Sequence, residues 1–135
     1  MSETLLPTDA ASAPTQLTSW QRGSRFLLVT FGPILIVTGL VGFAIPSPGA
    51  LMSNACPYNV FHLIAGSVGV ALVFSKSVRA AAWFNIAFGA IDLYQAVAGL
   101  TGVFPAALFA LRPADHVVHV VLGLLLVIVG WRGRP

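Results

Sequence analysis

Asp92, His62 and His119 are the residues whose chemistry fits their surroundings least, because each lies in a long apolar run. Asp92 falls near the middle of its run, where an ionised carboxylate in a bilayer costs roughly 2.5–3.5 kcal/mol. Such a position suits a proton relay, a cation site or a charge partner for a bound substrate. The structural alternative is a neutral carboxyl hydrogen-bonded to Gln95, Tyr94 or a neighbouring helix. His62 and His119 each precede a glycine by four residues, His62-x-x-x-Gly66 and His119-x-x-x-Gly123. Facing one another, the two imidazoles would suit a b-type haem, or a metal ion with Asp115 and His116 as further ligands. The same side chains serve equally for hydrogen bonds between helices, and Asp115, just after Pro113, for an N-cap or first-turn acid. Asn59 and Gln95 complete the candidate polar site. No Ser-His-Asp or Cys-His arrangement is readable, Asp115 and His119 being only a pair on one helix face. No catalytic residue and no cofactor beyond the haem or metal option is therefore expected.

The elements that must hold these residues follow from how little charge the chain carries. Eleven of 135 residues are charged, 8%, against roughly 25% in soluble domains. Apolar residues make up 57% and the mean hydropathy is +0.89. An ordinary soluble fold is excluded, and lipid covers what a core cannot. A spanning helix takes about 20 residues. Four fit, over residues 26–45, 58–75, 80–104 and 115–131, preceded by a disordered cytoplasmic tail (1–25) and followed by a short basic end (132–135). Continuous apolar runs exclude a membrane barrel, which requires alternation. The first run exceeds the roughly 7–15 residues of a signal-peptide core and is read as a retained helix. Prolines at 46, 48, 57, 105 and 113 mark the joints, while Pro33 lies inside the first span.

Orientation comes from the basic residues. Arg22, Arg25, Lys76, Arg79, Arg132 and Arg134 fall on one side and only Arg112 on the other, so the positive-inside bias puts both termini in the cytoplasm. Trp20, Trp83 and Trp131 all fall at that same boundary. A plasma (inner) membrane, multi-pass protein is expected. Seven basic residues without a cluster make no nucleic-acid surface. The lone Cys56 excludes an internal disulfide and a thiolate metal site, and is expected on the outer side as a free thiol or an intermolecular bridge.

The second and fourth helices open alike, at Asn59–Gly66 and His116–Gly123. The first and third close alike, at Gly39-Leu40-Val41-Gly42 and Gly99-Leu100-Thr101-Gly102. Offsets of 57 and 60 residues predict two copies of an antiparallel helix hairpin, related as parallel repeats. Helical spacing puts Asn59, His62, Gly66, Gly69 and Val73 on one stripe. A second holds Asn85, Gly89, Asp92, Ala96 and Gly99 beside Gln95, and a third Asp115, His119, Gly123, Leu126 and Gly130. Polar groups avoid lipid and small residues let backbones approach, so these stripes face inward, with Gly66, Gly69, Gly89, Gly99 and Gly123 as packing positions. The expected fold is all-α, a four-helix transmembrane bundle.

Three motifs carry a resemblance: Asn59-x-x-His62-Leu63-x-x-Gly66-x-x-Gly69, Gly89-x-x-x-x-Tyr94-x-x-x-x-Gly99-Leu100, and Asp115-x-x-x-His119-x-x-x-Gly123. Across residues 26–131 the chain resembles a bacterial family of small four-helix membrane proteins catalogued as a domain of unknown function. The resemblance implies a fold and a membrane location. It carries over no activity, cofactor or catalytic residue, and its pattern holds no fixed carboxylate at Asp92. A more distant similarity is to the DoxX-like membrane proteins, some of them linked to redox or quinone chemistry. Two functions are expected from this reading. The first is a non-enzymatic accessory or self-associating membrane subunit, with lipid, other membrane proteins or a second copy as partners. The alternative is proton, cation or small-molecule transport, or a haem- or quinone-linked redox role, using Asp92 with His62 and His119.

Overall fold

The computed structural model describes residues 16–45 and 47–135. Residues 1–15 of the expected tail, and Pro46 among the joint prolines, lie outside the described residues. The remainder is all-α: α1 (Ser19–Ala44), a 3-10 turn (Ser47–Gly49), α2 (Cys56–Phe74), α3 (Val78–Thr101), a short α4 (Ala106–Phe109) and α5 (Pro113–Arg132).

Local chemistry explains the boundaries. Helix α1 begins at Ser19, seven residues ahead of the expected Phe26, because Thr18 and Gln21 form a capping box. The Thr18 hydroxyl accepts from the Gln21 amide at 3.2 Å, and the Gln21 side chain accepts from the Thr18 amide at 3.0 Å. The first helix therefore includes Arg22 and Arg25 rather than following them, and it runs on through Pro33. Pro57 and Pro113 occupy the first turns of α2 and α5, where no amide hydrogen is required. Ser77 caps α3 by accepting from Ala80. Gly102, with φ of 74°, closes α3 in the left-handed region that side chains avoid, so the helix stops at Thr101, three residues before its expected end at Phe104. The connection expected over residues 105–114 contains α4.

Helix α1 packs antiparallel on α2, and α3 on α5, with lighter contact between the two pairs. Backbones meet where side chains are missing. A Cβ on Gly66 would lie 2.8 Å from the Gly32 carbonyl oxygen, and one on Gly89 would lie 2.7 Å from that of Gly123. A small apolar core of Leu27, Leu35, Phe88 and Leu126 joins the two pairs.

Polarity is distributed inside out. Ser24, Asn59, His62, Asn85, Asp92, Gln95, Asp115 and His119 are buried, while Phe26, Val37, Ile64, Val97, Val117 and Leu124 face outward. No water-soluble surface exposes so much apolar area. Helices α1, α2 and α5 are long and apolar enough to cross a membrane. Three helices meet that standard where four spans were expected. The difference is α3, whose apolar run is interrupted by Asn85, Asp92 and Gln95.

All six basic residues outside the 102–112 connection gather at one end. Arg132 lies over the Trp20 ring at 4.9 Å, Arg25 and Lys76 border one cleft, and Arg79 and Arg134 border another with Trp83 and Trp131. A buried bond pair ties α3 to α1 near this end: the Asn85 amide donates to the Ser24 carbonyl at 2.8 Å and to its hydroxyl at 2.9 Å.

Candidate intramembrane polar site

Asp115 organises the opposite end. It is the third residue of α5, with Arg112 as the N-cap, so its carboxylate lies among the free amides of the helix start. Oδ2 accepts from the Arg112 amide at 2.7 Å and from the Ser53 amide at 2.9 Å. The connection before α2 is held against α5 by the same group of bonds. The Ser53 hydroxyl donates to the Phe109 carbonyl, and the Arg112 guanidinium donates to the Ala50 carbonyl. Asp115 is thus a first-turn acid with a second task, anchoring a distant loop.

Tyr58, the third residue of α2, links this anchor to the histidines. Its hydroxyl donates to Asp115 Oδ1 at 3.3 Å and lies 2.9 Å from His119 Nε2. A hydroxyl has one proton, so Tyr58 donating to Asp115 requires His119 Nε2 to carry a hydrogen and donate to the Tyr58 oxygen. His119 Nδ1 is then a bare acceptor, in keeping with its lack of a partner. The His62 ring packs edge-on to Tyr58, with centroids 4.3 Å apart.

Beside this chain is a cavity of about 170 Å³, lined by Tyr58, His62, Asp92 and His119 together with Thr38, Met52 and apolar side chains of α1, α3 and α5. Asp92, His62 and His119 therefore line one space. Asp92 is 3% exposed and has no hydrogen-bond partner among the described residues. The partners offered for it in sequence lie elsewhere. The Tyr94 hydroxyl donates to the Phe104 carbonyl at 2.6 Å on the exposed side of α3, and Gln95 is buried with its Oε1 unpaired.

The other candidates do not join the cavity. The Asn59 amide donates to the Asn54 carbonyl at 3.2 Å, and its side chain occupies the space left by Gly42. His116 packs into the space left by Gly99, so the four-ligand set of His62, His119, His116 and Asp115 does not converge. Among the described residues, no three His, Cys, Asp or Glu side chains are arranged to hold a metal ion. Gly69 adjoins Gly32 and the Phe84 ring across the bundle. Cys56 is an exposed free thiol at the first residue of α2.

Sequence reasoning missed Tyr58, Ser53 and Ser24. Tyr58 had a usable signal, since it stands four residues before His62 and so on the same helix face. Ser53 had none, because its partner is 62 residues away and is reached through a loop.

Residues 50–132 match the family described as Domain of unknown function (DUF4383). The match takes in α2 to α5 and leaves α1 outside, a shorter stretch than the resemblance over residues 26–131. No curated protein and no solved structure matches the chain at a significant level. With more than half of its length matched, the chain belongs to the DUF4383 family.

Proposed function

We propose that this chain is a non-enzymatic, four-span protein of the plasma membrane, built from two copies of one helix hairpin, that binds a small molecule within the bilayer. The observation that carries the reading is the shared cavity of Tyr58, His62, Asp92 and His119. Polar side chains at membrane depth are costly unless paired or used, and two of these four have no partner.

A constant register of 57 residues, which sets Gly42 rather than Gly39 opposite Gly99, supports the duplication. The buried positions Ser24, Leu28, Gly32, Leu35 and Gly39 of α1 recur 57 residues later as Ala81, Asn85, Gly89, Asp92 and Ala96 of α3. Tyr58, His62, Gly66 and Gly69 of α2 recur in the same way as Asp115, His119, Gly123 and Leu126 of α5. Within this frame α3, though more polar, is the counterpart of α1. At 24 residues it extends about 36 Å, enough to span. The gathering of basic residues and tryptophans at one end supports cytoplasmic termini.

The duplication also isolates what is particular to the site. Histidines occupy equivalent positions in both copies, but Asp92 replaces the counterpart of Leu35, and Tyr58 is matched by Asp115. These two unequal pairs fall at the cavity or at the bonds bordering it, whereas Leu28 with Asn85, Gly39 with Ala96 and Gly69 with Leu126 lie away from it. A purely self-associating or accessory bundle would give no reason for a carboxyl at one of these two positions alone.

Native mass spectrometry of protein extracted in mild detergent tests this. The wild type is expected to retain a small molecule that Asp92→Leu loses. Identical spectra for the two, at equal folded fractions, would refute an intramembrane binding site.

A further inference from the structure

We infer that the cavity takes a neutral, lipid-soluble molecule with a hydroxylated six-membered ring, of the phenol class, entering sideways from the bilayer between α1 and α5. The inference rests on the binding role proposed above and specifies its ligand.

Size comes first. An apolar cavity of roughly 150 Å³ holds a benzene ring, and this one measures about 170 Å³, so a single ring fits within it. The walls suit a ring. Phe31 and Phe88 line it beside Tyr58 and His62, with Leu35 and Leu122 completing the apolar part.

Polar recognition comes from two side chains. Asp92 and His62 are 3% and 5% exposed, both line the cavity, and neither has a hydrogen-bond partner among the described residues. Tyr58 is committed to Asp115 and to His119 Nε2, which leaves Asp92 and His62, beside the Thr38 hydroxyl and the unpaired His119 Nδ1, as the lining groups free to meet a ligand. A carboxyl accepts in either protonation state, and an imidazole offers one donor and one acceptor. A hydroxyl group satisfies both at once, donating to Asp92 and accepting from His62. A carbonyl pairs with both only if Asp92 is protonated and both side chains donate, and a hydrocarbon ring leaves both unpaired. An ion is disfavoured by the cost of carrying charge to this depth.

The route in is lateral. Ile34, which is 46% exposed, and the half-buried Val118 and Leu122 form the rim on α1 and α5, on surfaces that otherwise face lipid. A ligand arriving this way partitions into the bilayer first and can leave an alkyl substituent among the acyl chains.

Fluorine NMR on the full chain in detergent micelles, with 4-fluorophenol and fluorobenzene as probes, tests the inference. The wild type is expected to bind 4-fluorophenol saturably and about tenfold more tightly than fluorobenzene. Asp92→Leu and His62→Phe should each weaken the phenol about tenfold, the worth of one well-made hydrogen bond. Val121→Ala, on the lipid-facing surface, should leave binding unchanged. Equal binding of the two probes overturns the inference, and this comparison needs no variant to fold. Unsaturable uptake, or a phenol affinity unaffected in both folded variants, overturns it as well. Failure of the wild type to bind 4-fluorophenol, while it retains another molecule that Asp92→Leu loses, refutes the phenol class and leaves the binding site standing. If neither is bound, both fall.

Discussion

Tyr58 is the residue on which the site's internal order depends. Its hydroxyl is the shared partner of His119 and Asp115, so Tyr58→Phe removes two hydrogen bonds without changing the ring's packing against His62. Leaving a buried imidazole N–H and a carboxylate oxygen unpaired costs about 1–3 kcal/mol. The variant is expected to unfold at a lower temperature than the wild type in the same detergent, read by circular dichroism. An unchanged midpoint would mean that the bond chain contributes nothing to the fold. At this scale the sequence was partly legible. Asp92, His62 and His119 stood out because polar groups in apolar runs demand a reason, and they do line one cavity. His116 and Asn59 looked similar on paper, but each stands opposite a glycine that absorbs it. Only the partner helix decides whether a polar side chain reaches a cavity or a glycine notch.

At the scale of elements, the hairpins are held by backbone approach rather than by large side chains. Gly66 meets the Gly32 carbonyl and the Ile36 amide of α1, both backbone groups that cannot turn aside. Gly66→Val should therefore force α1 and α2 apart and lower stability by about 1–3 kcal/mol. Gly49→Ala, with nothing within 4 Å of the added carbon, should leave the melting temperature within error of wild type. Equal behaviour of the two variants would show that the close crossing is unimportant. The inward stripe of α5 was readable from spacing alone: Asp115, His119, Gly123, Leu126 and Gly130 are its buried residues. Helix ends were less so. The start of α1 depended on the capping box at Thr18 and Gln21, a polar signal outside the apolar run that drew attention to Phe26.

The whole molecule is an inside-out bundle whose apolar exterior is matched by an unusually polar interior. Low total charge announced this from composition. Its consequence lay beyond composition, because the loop bonds of Ser53 and the α1–α3 tie of Ser24 and Asn85 join residues more than 60 positions apart. The 57-residue register sharpens the picture. Under the proposed duplication one scaffold sets the helix crossings, and the unequal pairs Leu35 with Asp92 and Tyr58 with Asp115 fall at the cavity or at the bonds bordering it. That both histidines line a single space open to lipid is the claim from which the binding role follows. Paramagnetic relaxation by dissolved dioxygen, which partitions into membranes, tests it on protein carrying nitrogen-labelled histidine. The imidazole signals of His62 and His119 should both relax faster under oxygen, and Val118→Trp, which plugs the mouth, should abolish that enhancement while leaving His116 as in the wild type. Enhancement that persists at His62 and His119 in the folded Val118→Trp variant, or is missing there in the wild type, would contradict a lipid-accessible cavity.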